Sequence, residues 1–169
     1  MKNFIKVIIL ILGVSFIITG CNINEIKDEP KFILKLNVSN LTEEEYKLVG
    51  TKELENPKKE DFKNIEFALD VEHSNKISNR NISVPSIKEV IQKQYKDRYW
   101  FGKGYSEDNK GTNFASYGEK IVIYSNGLKE DDIKEIFKSA EVKISWVTHS
   151  EESKERIFNL DDIIEFEQL

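Results

Sequence analysis

Three stretches of this chain alternate apolar and polar residues with a period of two, and a fourth is a short apolar run. That spacing commits the three to strands with one covered face, because successive side chains leave a strand on opposite sides. Phe32, Leu34, Leu36 and Val38 alternate with Ile33, Lys35 and Asn37. Ile65, Phe67, Leu69 and Val71 alternate with Glu66, Ala68, Asp70 and Glu72. Ile121, Val122, Ile123 and Tyr124 form a short apolar run that stops at the turn pair Asn126 and Gly127. Val142, Ile144 and Trp146 alternate with Lys143 and Ser145. Residues 98–102 and 156–160 are weaker strand candidates, and 46–49 fits a strand or a helix.

Helical spacing is expected in two places. Pro85 is followed by Ser86, Ile87, Lys88 and Glu89, a capping-box pattern that leads into Val90 and Ile91. The second helix spans residues 128–140, with Asp131 and Asp132 at its start, Lys138 near its end and a stripe of Ile133, Ile136, Phe137 and Ala140. Strand–helix alternation of the parallel α/β kind is missing. The order predicts a mainly β chain, an immunoglobulin-like antiparallel β-sandwich carrying two short helices. The alternative is an α+β layer with the helices on one face of an antiparallel sheet. Residues 73–83 read as a polar loop.

The amino terminus has a different character. Lys2 and Lys6 precede an uncharged apolar run over residues 7–18, followed by Thr19, Gly20 and Cys21. The run is shorter than the ~20 residues that span a bilayer and has the length of a signal-peptide core. The small residue directly before the cysteine, with Ile18 two places further back, resembles the lipobox of bacterial lipoproteins. The resemblance is confined to residues 1–21. It implies cleavage between Gly20 and Cys21, a diacylglyceryl group on the Cys21 thiol, and residence on the extracytoplasmic face of a cell membrane. Two acyl chains hold a protein to a membrane stably where one does not. The expected organisation is a signal peptide over 1–20, a lipidated cysteine and tether over 21–31, and one globular domain over 32–169.

Composition narrows the classes of function. Loss of residues 1–20 removes Lys2 and Lys6 and no acid, which leaves 23 basic and 30 acidic residues and a formal net charge of −7. Phosphate backbones select clustered Lys and Arg, so nucleic acid is not an expected partner. Cys21 is the sole cysteine, so the mature domain has no disulfide and no thiol chemistry of its own.

The best candidate for a binding surface lies within residues 95–113. Tyr99, Trp100 and Tyr105 are set among Arg98, Phe101, Gly102 and Gly104, before a polar run over 106–113. Neighbours on a regular strand face opposite ways, so Trp100 is expected to oppose Tyr99 and Phe101. An outward aromatic beside glycine backbone suits a sugar ring or a protein partner. The competing reading buries both faces. The run from Ser106 to Gly111 fails the EF-hand register, because Lys110 falls where a ligand is required. His73 and His149 each end a predicted strand, but no metal-ligand spacing or nucleophile motif accompanies them. No catalytic residue, metal site or cofactor is expected. The chain reads first as a non-enzymatic interaction module for an envelope protein or glycan. An envelope hydrolase and an immunity or inhibitor lipoprotein with a basic target are the alternatives.

Overall fold

The computed structural model describes residues 29–167, so Gly20, Cys21 and the leader lie outside the described residues. Eight strands form two sheets. The five-stranded sheet has the order β4-β5-β2-β1-β8, and the three-stranded sheet the order β3-β6-β7. The larger one is built from β1 (Lys31–Asn40), β2 (Phe62–Glu72), β4 (Tyr99–Glu107), β5 (Phe114–Tyr124) and β8 (Ile164–Glu167). The smaller contains β3 (Ser78–Ser83), β6 (Glu141–Val147) and β7 (Ser153–Asn159). All pairings are antiparallel except β1 with β8.

The alternating apolar positions carry the core as the period-2 pattern requires. Leu36 and Val38 of β1, Ile65, Phe67, Leu69 and Val71 of β2, and Ile121 and Ile123 of β5 are buried on one face of the larger sheet. Val142, Ile144 and Trp146 of β6 meet them in the same cluster. Phe32 bridges the two layers, with ring centroids 6.1 Å from Trp146 and 5.5 Å from Phe158.

Among the described residues there are four α-helices, not the two expected: α1 (Glu43–Tyr46), α2 (Ile87–Gln94), α3 (Glu130–Ile136) and α4 (Leu160–Ile163), with a short 3₁₀ turn at Lys59–Asp61. The two extra helices are four residues long, too short for a 3.6-residue repeat to register in sequence. Ser86 caps α2 by accepting from the Glu89 backbone N–H at 3.4 Å, and Ile87 and Ile91 are its buried stripe. Three of the helices carry the chain from one sheet to the other: α2 between β3 and β4, α3 between β5 and β6, and α4 between β7 and β8. Registers place the α2 and α3 crossings where Tyr99 pairs with Ile123 and Glu141 starts β6, whereas α4 leaves β7 at Asn159 and enters β8 at Ile164, opposite Leu36 in the middle of β1. The opposite end holds the start of β1 and the turns over 73–77, 108–113 and 148–152.

Two further expectations are corrected. The segment 73–83 is not all loop, because Ser78–Ser83 forms β3 with Ile82 as its one apolar residue. Its pairing with β6 is irregular between Ser78 and Asn81, and Asn79 has φ 51°. A polar edge strand shows no hydrophobic alternation to read. Of the weak candidates over 98–102 and 156–160, all but Arg98 and Leu160 belong to longer strands, β4 and β7; Arg98 precedes β4 and Leu160 opens α4. No helix among the described residues is long and apolar enough to cross a membrane.

Candidate functional site

The larger sheet has a second face, and it is covered at one end only. There, residues 41–61 fold back over Phe62 and Val122 to make a small second core with Leu41 and Val49. Thr42 and Glu45 cap α1 reciprocally: Glu45 N–H donates to Thr42 Oγ1 at 3.2 Å, and Thr42 N–H to Glu45 Oε2 at 2.8 Å. Lys120 Nζ reaches from β5 to Glu45 Oε1 at 2.9 Å and ties this cover to the sheet. The Thr42 N–H first, then the Lys120 ammonium, bring the Glu45 carboxyl down to about 2.

Towards the other end the same face is bare. Ile33, Phe101, Tyr105 and Phe114 project from it, 57%, 41%, 63% and 42% exposed. The register assigns them to one side: Phe101 pairs with Val122, Tyr105 with Gly118 and Phe114 with Glu72, all opposite in parity to the core positions, and Ile33 alternates with core-facing Phe32 and Leu34. Charged neighbours on this face are Lys31, Lys35, Glu66, Asp70, Glu72, Lys103, Glu107 and Lys120. Leu48 of the cover is 78% exposed and, with Phe101, Val122, Asn64 and Lys103, walls a pocket of about 420 Å³ at the border between covered and bare halves.

A bulge decides how the predicted aromatics are distributed. The β4–β5 register shifts between Tyr99 and Phe101, which leaves Trp100 as an extra residue. Trp100 and Phe101 therefore lie on the same face, contrary to strict alternation. Tyr99 packs against the main core, with Lys88 Nζ 5.0 Å above its ring. Trp100 packs into the second core, its ring edge-on to Phe62 at 5.7 Å. Of the three sequence-predicted surface residues, Tyr105 alone is broadly exposed. The residues missed were Phe101, Phe114, Ile33 and Leu48. Their signal in the sequence is an apolar residue at an outward position.

Tyr105 is held by what lies beneath it. Its ring rests on Gly118, where a Cβ would stand 2.8 Å from Cζ and 3.0 Å from the hydroxyl oxygen. That hydroxyl is 3.4 Å from Ser116 Oγ, which donates to Asp70 Oδ1 at 2.7 Å. On the inner side of β4, Gly102 sits against Ile121 and Lys120 O, and Gly104 against Glu119. A cleft of about 790 Å³ opens there between β4 and β3, lined by Phe67, Ser83, Ser106, Tyr117 and Glu119 among others.

The hairpin between β4 and β5 is pinned to β3 by one buried cation. Arg80, its side chain 5% exposed, pairs with Asp108 through Nη2. Its Nη1 donates to His73 Nε2 at 2.9 Å and to Thr112 O at 3.3 Å. His73 Nδ1 lies 2.8 Å from Ser74 O. An arginine has only donors, so in this contact Nε2 accepts, and Nδ1 faces the Ser74 carbonyl. Tyr117 Oη donates to the second Asp108 oxygen at 2.7 Å. Burial would raise the Asp108 carboxyl, but the Tyr117 hydroxyl and the Arg80 guanidinium outweigh it and hold the group below its ordinary value. Burial first, and then the Asp108 carboxylate, push the Tyr117 hydroxyl above the usual range. The acidic loop over 106–111 is thus organised by an arginine, and the Asn109 side chain accepts from Gly111 N–H at 2.9 Å. His149 lies in the turn after β6, in the other sheet from His73. Among the described residues, no three His, Cys, Asp or Glu side chains gather to hold a metal ion.

No family model, no curated protein and no solved structure matches this chain.

Proposed function

We propose that this chain is a lipid-anchored envelope protein that binds a protein partner through the bare face of its larger sheet. The observation that carries the reading is the concentration of exposed apolar side chains. Of the six large ones among the described residues, Ile33, Phe101, Tyr105 and Phe114 leave the same sheet face, and Leu48 borders it. Scattered apolar residues on a surface need no explanation, whereas several on one face, with charges interspersed, mark an interaction surface. The face spans β4, β5, β2 and β1, which fits a protein better than a single sugar ring. His73 has both ring nitrogens engaged, and this favours binding over hydrolysis. An immunity protein with a basic target is one form of the same reading, in keeping with the net charge of −7 of the chain from Cys21 onward.

The proposed anchor on Cys21 gives the domain an orientation. The chain enters β1 at Lys31, beside Glu72, at the end that holds the β4–β5 hairpin. That end lies nearer the membrane, and the crossover helices lie farther out. For the fold we favour a variant of the immunoglobulin-like sandwich. Two largely antiparallel sheets over one core support this; the crossover helices and the parallel β8 are additions to that plan.

The test is in-cell crosslinking with the anchored protein as bait, beside Cys21→Ser and Tyr105→Ala with Phe114→Ala. One dominant protein captured by the wild type and lost in both variants supports the reading. Capture unchanged by the aromatic substitutions moves the site elsewhere. Recovery of glycan in place of protein replaces the partner class.

A further inference from the structure

We propose that two copies of this chain pair antiparallel along β4, about a two-fold axis through Tyr105. Strand β4 is an edge of the five-stranded sheet, and every residue over 101–107 is exposed. An edge strand presents unpaired backbone donors and acceptors, a template for another strand. Edges commonly carry bulges or charges that work against pairing; on β4 the bulge lies at Trp100, outside 103–107, and the charges over 103–107 form a self-complementary pattern. On the bare face, Lys103 and Glu107 stand two residues either side of Tyr105. Neither has an ion-pair partner among the described residues, whereas Lys120, directly across from Lys103, is held by Glu45.

In an antiparallel pair centred on Tyr105, Lys103 of each copy faces Glu107 of the other. The two Tyr105 rings lie side by side between these ion pairs. Directly opposed opposite charges and aromatic pairs are the contacts that favour a register. Gly104 meets Ser106 on the inner side, so no bulky side chain holds the strands apart. An antiparallel pair can centre on a residue whose backbone groups point either way, so the register is open to β4 as it stands. The product is a continuous sheet of ten strands with both bare faces on one side. The pairing rests on the free edge, not on the envelope partner proposed above.

Edge pairing of this length buries less than the ~1,600 Å² of a standard interface, so association at high micromolar concentration is expected. The experiment is sedimentation velocity of the full chain in detergent, with folding of every variant verified by circular dichroism. The wild type is expected to dimerise. Lys103→Glu and Glu107→Lys each place like charges opposite one another and should weaken the dimer about tenfold or more. The double swap K103E/E107K restores opposite charges and should recover it. A wild type that stays monomeric at every concentration overturns the proposal, as do single variants that dimerise like the wild type. A folded double variant that stays monomeric also overturns it. If Lys103 serves instead to keep the edge free, Lys103→Ala will strengthen association, which also rejects the pairing.

Discussion

Tyr105 on β4 lies flat over Gly118 on β5, and the missing side chain of the glycine is the space its ring occupies. Gly118→Ala puts a methyl group under the ring. The ring is the outer end of a mobile side chain, so it swings away at a stability cost within about 1 kcal/mol. The aromatic platform is lost all the same. Partner capture by G118A should therefore fall as it does for Tyr105→Ala, with urea denaturation midpoints close to wild type. Gly102 offers the contrast. A Cβ there meets Lys120 O at 2.8 Å and Ile121 Cα at 3.0 Å, backbone atoms that cannot swing aside. Gly102→Ala should cost about 1–3 kcal/mol and loosen β4, visible as faster amide exchange along that strand.

Trp100 and Tyr105 are expected to behave in opposite ways. Trp100 packs on Phe62 and Tyr124 in the second core, so Trp100→Ala should destabilise the domain by about 2 kcal/mol. Tyr105→Ala should change stability by less than about 0.5 kcal/mol and abolish partner capture. Denaturation and crosslinking of the two variants, measured together, check both halves.

Arg80 is the pin between the sheets. Arg80→Ala leaves Asp108 partly buried without its cation, and breaking such a pair should cost about 2–3 kcal/mol. Arg80→Lys should rescue little, because one ammonium cannot reach Asp108, His73 and Thr112 O at once. Hydrogen exchange should show the loss first in residues 108–113. Equal protection of that hairpin in wild type and R80A would rule out the pinning role.

Acid should loosen the cover over the second core. The Glu45 carboxyl is lowered from 4.5 to about 2 by the Thr42 N–H and the Lys120 ammonium. A group lowered in the folded state binds protons more readily when unfolded, so its contribution is complete above pH 4.5 and is lost as pH falls towards 2. Part of this carboxylate is solvated, so a contribution of about 1–2 kcal/mol is expected. Urea unfolding at pH 7 and pH 3 should show a smaller drop for Glu45→Gln than for wild type. Equal drops would mean that other acids carry the acid sensitivity.

Local pattern and tertiary structure contribute different things here. Alternation in β1, β2 and β6 was legible because each strand covers one face, and one covered face leaves a period-2 trace. The start of α2 was legible because the Ser86 hydroxyl accepts from the Glu89 backbone N–H, a donor only three residues on. Strand β3 was not legible: SNRNIS at an edge needs no apolar face, and it is held by pairing with β6. The bulge at Trp100 arises from register with β5, a relation between residues more than twenty positions apart. It put Trp100 on the outer face of the sheet beside Phe101, where it packs into the second core.

The sequence by itself determined which side chains share a face along each regular strand, because strand geometry sets that residue by residue; the bulge at Trp100 is the exception. The expectation of a lipobox at Cys21 likewise rests on a few consecutive residues, which lie outside the described ones. Only the tertiary structure decided which face is covered and where the cover ends. Residues 41–61 fold over Phe62 and Val122 and stop short of Tyr105. Burial is a property of distant segments brought together, and no local window of sequence contains it.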